Sequence, residues 1–347
     1  MITVNARCTC GPEDSFTPTT ITRRNPGPHD VLIDIAYAGI CHSDIEHARS
    51  TRGKTRYPLV PGHEVAGVVA AVGNAVTRFR PGDRVGVGNM VDACRTCAHC
   101  LAGLEQYCDK RVLAYNARGY DGQQTQGGYS EKTVVDERFV VRIPDAIALP
   151  NAAPLMCAGI TMYSPMRHWR VGPGTRVGIV GFGGLGHVGV QMSKAFGAHT
   201  TVLDLTEAKR ADAMRLGADA YVVANSAETL APLASSMDLV ISTVYSDKLD
   251  PFVGLLALNG TLVNLSIPAS PMTISGATLL ANRRSISGSR SGGLAETQEM
   301  LDFCATHGIG AEIELIHADD IDAAYRRLLA GDVRFRFVID NSTLAKV

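Results

Sequence analysis

The run TRVGIVGFGGLGHVGVQMSKAFGAHTTVLDL, residues 175–205, reads as strand, glycine turn, helix and second strand. The turn GFGGLG carries G-x-G-x-x-G at Gly181, Gly183 and Gly186, with Gly184 and Leu185 inside it. Alone the motif is weak, because glycines also serve ordinary turns. Here it follows a strand and opens a helix, where bare backbone N–H groups and the helix N-terminus can hold a pyrophosphate. The second strand ends in Asp204, where such units place an acid on the adenosine ribose. A dinucleotide cofactor is the expectation. A carboxylate accepts from both ribose hydroxyls of NAD but repels the 2′-phosphate of NADP, so NAD is favoured and NADP is the alternative. Lys209 and Arg210 follow; they would favour a phosphate if turned inward, and otherwise form a solvated helix face.

Outward from this stretch, MDLVISTV and GTLVNLSI are further strand candidates, and TLLANRRS and AETQEMLDFCATHG helical ones. The alternation predicts a parallel sheet with helices on both faces. NAAPLMCAGITMYSPMRHW, from Asn151, has helical spacing. Before Pro150 the texture differs: VLIDIAYAGI (31–40), EVAGVVAAVG (64–73), DRVGVG (83–88) and EKTVVDERFVVRI (131–143) each read as a strand. DVRFRFVID, near the C-terminus, is strand-like and expected to return to the first domain.

A chain of 347 residues suggests two domains. Net charge is −1, with no long basic run, which argues against nucleic acid as a partner. The start MITVNARCTCGPEDSF lacks the basic and apolar regions of a signal peptide, and no apolar run is long enough to span a membrane. The expected compartment is the cytoplasm, where thiols stay reduced.

That expectation bears on CRTCAHCLAGLEQYC, where Cys94, Cys97, Cys100 and Cys108 follow C-x₂-C-x₂-C-x₇-C. A disulfide cluster, a redox dithiol and a metal site compete. Reduced surroundings weaken the first, and a dithiol calls for one C-x-x-C at a helix start. An iron–sulfur site would use similar thiolates, but no second cluster motif accompanies it. Four thiolates at this spacing can close a tetrahedron around one zinc, leaving no place for substrate, so the site is expected to be structural. Elsewhere GICHSDIEHA carries Cys41 and His42, PGHEVAG carries His63 and Glu64, and MCAGIT carries Cys157. Singly, each more often fills an ordinary structural place. Two thiolates and one imidazole together would give a Cys₂His site with an open position, as a catalytic zinc needs.

Taken together, GHE-x₂-G, the four-cysteine lobe, CHSD and GFGGLG resemble the zinc-dependent medium-chain alcohol dehydrogenases. EQYC, TQGGYS, CAGIT, LGADAY and ETQEML resemble their cinnamyl alcohol dehydrogenase-like branch. The resemblance covers nearly the whole chain. It implies an α/β fold: a GroES-like, β-rich catalytic domain (1–150 with 292–347, structural zinc lobe 90–110) and a Rossmann doubly wound coenzyme domain (151–291). It implies two Zn²⁺ per chain: one catalytic on Cys41, His63 and Cys157 with Glu64 as an occasional fourth ligand, one structural on Cys94, Cys97, Cys100 and Cys108. By the same resemblance Ser43 begins a proton relay, Asp44 orients His63, Thr161 borders the nicotinamide, and Arg336 reaches the pyrophosphate. Gly181, Gly183, Gly184, Leu185, Gly186, Asp204 and Lys209 complete the expected coenzyme contacts. The implied reaction is reversible oxidation of a primary alcohol to an aldehyde, aromatic or medium-chain aliphatic, by a homodimer or homotetramer.

Three positions depart from that pattern. Glu46 stands where the family often has a relay His; Leu113 replaces a large aromatic residue of many plant members, which argues for a broad or aliphatic range; Arg290 sits in a loop that often carries Phe or Asn. The branch more often uses NADP, so Asp204 is the local contradiction. A zinc-free enoyl or quinone reductase on the same fold is the rival enzyme, but Cys41, His63 and Cys157 are all present. A polyol dehydrogenase usually lacks a complete lobe. A non-catalytic dinucleotide-binding protein would not need Ser43 or an open metal site.

Overall fold

The computed structural model describes residues 1–344. Two compact units divide them: Met1–Ile160 with the chain from Gly292 onward, and Thr161–Ser291.

In the first unit β1 (Ile2–Cys8) and β2 (Thr17–Arg23) form an antiparallel pair. β3 (Asp30–Gly39), β4 (Val65–Val72) and β5 (Arg84–Val87) form an antiparallel sheet whose alternating Val31, Ile33, Ile35, Val65, Val69 and Val85 bury one face. Short β6 (Met90–Asp92) and β7 (Val112–Leu113) flank the cysteine lobe and pair with each other. The run 131–143, expected as one strand, is two: β8 (Lys132–Asp136) pairs with β3, and β9 (Val141–Arg142) pairs with β5. The Asp136 carboxylate breaks it, accepting from the Arg138 N–H at 3.0 Å and its guanidinium at 2.7 and 2.8 Å, which stabilises a 3₁₀ turn.

Residues 151–160, expected in the coenzyme domain, belong to the first unit. The helix Leu149–Ala152 and the 3₁₀ turn Ala153–Met156 pack on β3 and β4. The stretch from Asn151, expected as one helix, is divided at Pro154, leaving Cys157 outside helical geometry at φ −126°, ψ −67° before the helix Ala158–His168.

The second unit is one six-stranded parallel sheet, built from β10 (Arg176–Val180), β11 (His199–Asp204), β12 (Ala220–Val223), β13 (Met237–Ser242), β14 (Leu256–Asn264) and β15 (Ser285–Gly288). Its order, β12-β11-β10-β13-β14-β15, is the doubly wound arrangement in which the chain reverses direction beside the first strand. β10, β11 and β13 are near-continuous buried runs, as parallel strands covered on both faces require.

The chain then returns. β16 (Ile313–Ile316) and β17 (Arg336–Asp340) extend the first unit's sheet in the order β16-β17-β3-β4-β5-β9. One rim of β3 is shared: β8 takes residues 30–34 and β17 takes 37–39. β3 and β4 approach so closely that a Cβ on Gly67 would lie 2.1 Å from the Asp34 carbonyl oxygen. Gly67→Ala should therefore cost about 1–3 kcal/mol and lower the unfolding midpoint by several degrees, read by differential scanning fluorimetry.

Candidate active site

Three separate segments of the first unit meet in a buried corner. Cys41 precedes the helix His42–Ala48 with extended backbone, φ −110° and ψ 153°, and its N–H donates to the Asp44 carboxylate at 2.9 Å. The turn Pro61–Glu64 brings in His63 through Gly62 at φ +105°, a conformation suited to glycine. Cys157 enters from the helix break described above. Ligand atoms of Cys41, His63, Glu64 and Cys157 all lie within 4.8 Å of one another, with the two sulfurs 3.9 Å apart.

Asp44, fully buried, organises this corner. Its carboxylate accepts from the Cys41 N–H, from the Gly62 N–H at 3.2 Å and from the Tyr129 hydroxyl at 3.4 Å, and meets His63 Nδ1 at 2.9 Å. Burial alone would lower the His63 imidazole, but the Asp44 charge and hydrogen bond, with Cys41 beside it, hold it well above its ordinary range. A hydrogen bond from Cys157 draws Cys41 well below the usual thiol range, and the same bond raises Cys157. Ser43 sits on the helix with its Oγ 3.8 Å from Cys41 Sγ.

Buried on β17, Arg336 forms an ion pair with Glu64, a contact the sequence does not announce, so its guanidinium faces the metal corner. Burial outweighs the pull of Arg336 and lifts the Glu64 carboxyl to about 8. Among the described residues, Glu64 Oε2 and Arg336 Nε have no hydrogen-bond partner. Glu46, at the relay position, pairs with Arg52 at 3.0 Å. Tyr115 belongs to no motif, yet its buried ring lies 5.8 Å from the His63 ring and 5.3 Å from His47. Leu113 on β7 is half-buried and pairs with Met90. Arg290 is exposed.

The second cysteine cluster is local. Ligand atoms of Cys94, Cys97, Cys100 and Cys108 also lie within 4.8 Å, with Cys94 and Cys100 sulfurs 3.9 Å apart. Backbone N–H groups of Thr96 and Cys97 lower the Cys94 thiol to about 6, while burial raises Cys100 to about 12.

In the second unit the three motif glycines show three different needs. Gly181 has φ +91°; a Cβ on Gly186 would lie 2.1 Å from the Gly181 carbonyl oxygen; a Cβ on Gly183 would meet nothing within 4 Å. These are a tight turn, close helix–strand packing and an open cradle, the division of labour of a pyrophosphate-binding turn. Gly184 and Leu185 complete the turn before the helix Gly186–Ala195, and half-buried Thr161 begins this unit on the helix Ala158–His168. Asp204 ends β11 half-buried, its Oδ1 accepting from the Leu205 N–H at 2.9 Å and its Oδ2 3.4 Å from the Tyr221 hydroxyl. Lys209 is half-buried.

Known proteins share this architecture. Residues 27–145 match the alcohol dehydrogenase GroES-like domain, and residues 184–306 the zinc-binding dehydrogenase family. The NADP-dependent alcohol dehydrogenase C of Mycobacterium bovis is 54% identical over 99% of this chain and 100% of its own. Aldehyde reductase YahK of Escherichia coli is 51% identical over 94% of this chain and 95% of its own. A solved cinnamyl alcohol dehydrogenase of Sorghum bicolor superimposes with a TM-score of 0.97 over 100% of both chains, at 39% identity. This is therefore an oxidoreductase acting on alcohols. More narrowly, the chain belongs to the zinc-type medium-chain alcohol dehydrogenase family, in its cinnamyl alcohol dehydrogenase-like branch.

The glycine geometry separates two effects. Gly186→Ala should lower the unfolding midpoint, because backbone must move. Gly183→Val should leave it within about a degree or two yet weaken dinucleotide binding at least about tenfold. Fluorimetry and calorimetric titration of the two variants check this.

Proposed function

We propose that the chain is a reversible, zinc-dependent alcohol dehydrogenase and aldehyde reductase acting on primary alcohols and aldehydes, aromatic or medium-chain aliphatic. The observation that carries the reading is the buried Cys41–His63–Cys157 cluster, a Cys₂His donor set that leaves one position for substrate. Tetrahedral zinc with sulfurs at about 2.3 Å places neighbouring sulfurs about 3.8 Å apart. The 3.9 Å separations in both cysteine sets match that spacing, which supports one catalytic and one structural zinc.

When bound, zinc supplies Lewis acidity toward the substrate oxygen. Asp44 engages His63 Nδ1 and so presents Nε2 as the donor. The Ser43 hydroxyl would take the alcohol's proton and pass one on to water, and the hydride leaving the carbinol carbon would go to the oxidised nicotinamide coenzyme, which is reduced as the alcohol becomes the aldehyde. Glu64, held by Arg336, supplies an occasional fourth donor. Thr161 and the turn Gly181–Gly186 orient the coenzyme. Half-buried Leu113, in place of a large aromatic side chain, supports a range wider than bulky phenylpropenols.

The coenzyme reading shifts from the sequence expectation. The relative of 54% identity is named NADP-dependent, and both Asp204 carboxylate oxygens already face donors of this chain. We read NADP(H) as preferred, with NAD(H) accepted less well. For assembly we propose a homodimer joined through β15, one of the two edge strands of the second unit's sheet, with exposed Leu258 on the neighbouring β14 and exposed Leu280 on the segment leading into β15. The apolar stretch GTLVNLSI lies largely in β14 and is paired on both sides. A cytoplasmic setting fits cysteines that are all unpaired among the described residues.

Cys41→Ala should remove one zinc per chain and lower kcat for aldehyde reduction at least about a hundredfold, with the fold retained. Cys97→Ser should remove the other zinc and lower the unfolding midpoint before it affects turnover. Metal content by atomic emission, with initial rates on benzaldehyde and a medium-chain aliphatic aldehyde, checks both. Full activity in Cys41→Ala would sink the assignment. Light scattering should give twice the chain mass, falling to one chain for Leu280→Asp if β15 is the contact.

A further inference from the structure

The turn after β11 holds an arrangement that bears on how strongly a 2′-phosphate is bound. Arg210 has all three guanidinium nitrogens engaged. Its Nε and Nη2 donate to the two Glu207 carboxylate oxygens at 2.5 and 2.8 Å, and its Nη1 donates to the Tyr221 carbonyl at 2.7 Å. The guanidinium also lies 4.9 Å over the Tyr221 ring. The hydroxyl of that same tyrosine donates to the Thr206 carbonyl at 2.6 Å and stands 3.4 Å from Asp204 Oδ2. One side chain thus links Arg210 to the acid that ends β11, where doubly wound sheets receive the adenosine ribose. An arginine beside that acid is the usual partner for a 2′-phosphate, which its planar fork can bind bidentately.

We infer that Glu207 is a specificity-determining residue: by occupying the bidentate face of Arg210 it competes with the 2′-phosphate of NADP(H) for that guanidinium. The inference deepens the coenzyme reading above and rests on it. Both partners are substantially exposed, with side chains 45% and 63% accessible, so the pair is worth little in water and a phosphate can exchange for it. Glu207 also brings a negative charge to the turn, next to Asp204, which the phosphate must overcome. The pair therefore tempers the preference for NADP(H) without abolishing it.

The test is Glu207→Gln, which keeps the shape of the side chain and removes the competing charge. Calorimetric titration with adenosine 2′,5′-bisphosphate and with 5′-AMP isolates the ribose phosphate from the rest of the coenzyme. Expected is about five- to tenfold tighter binding of the bisphosphate, with 5′-AMP unchanged within about twofold. The kcat/KM ratio for NADPH over NADH should rise by the same factor. In Glu207→Gln with Arg210→Gln the gain should vanish. An equal change for both nucleotides, no change for either, or a gain that survives loss of Arg210 would overturn the inference. Wild-type rates with NADPH and NADH test the coenzyme reading separately: NADH preference rejects that reading, while the variant-to-wild-type shift still judges Glu207.

Discussion

The metal corner depends on one carboxylate. Asp44 lies out of contact with water and gathers two backbone N–H groups, an imidazole and a phenol from three chain segments. The two backbone N–H groups and the imidazole Nδ1 would lose this partner if the acid were absent, and each buried orphan costs on the order of 1–3 kcal/mol; the Tyr129 hydroxyl would keep its 3.3 Å contact with the Tyr325 hydroxyl. The low dielectric strengthens the bonds and penalises their loss. The same atom pattern that closes the helix after Cys41 also fixes the ring of His63, so the spacing between sulfur and nitrogen follows from a capping interaction.

A second buried charge system answers the first. Glu64 and Arg336 sit almost fully out of solvent, and each keeps one polar atom without a partner among the described residues. Burying such a pair gains little over apolar packing, but separating it leaves an isolated charge inside the fold. Its persistence beside Cys41, His63 and Cys157 matches the chemistry of a corner whose donor atoms are sulfur and nitrogen. The cysteine lobe contrasts with it. There the four donors come from fifteen consecutive positions, 94–108, and no distant residue is needed to bring them together.

That contrast explains what could be read from the chain alone. The glycine turn and the lobe are local, so their geometry follows from spacing, and both were legible. Cys41, His63 and Cys157 are individually ordinary; donor chemistry offered them as a Cys₂His set, and the resemblance to a family's segments assigned them to one metal. Arg336 was legible as a strand residue but not in its contacts, because pairing with Glu64 depends on how β17 returns to β3. Tyr115 carries no motif at all, and its place against His63 is set by packing. Two periodicity readings also missed local chemistry. The acid at Asp136 ends a strand that hydrophobicity would continue, and Pro154 divides a helix that spacing would extend.

The return of β17 has a consequence for how the protein is made. The rim of β3 at residues 37–39 is completed only by residues 338–340, so the first unit cannot close until nearly the whole chain has left the ribosome. The second unit, Thr161–Ser291, emerges entirely in that interval. At about 5–20 residues per second the wait between Thr161 and β17 lasts roughly ten to forty seconds. Through it Glu64 has no counter-charge and the sheet edge stands open. A premature stop at or before codon 340, within β17, is thus felt in the chain's first fifth, at Tyr37–Gly39.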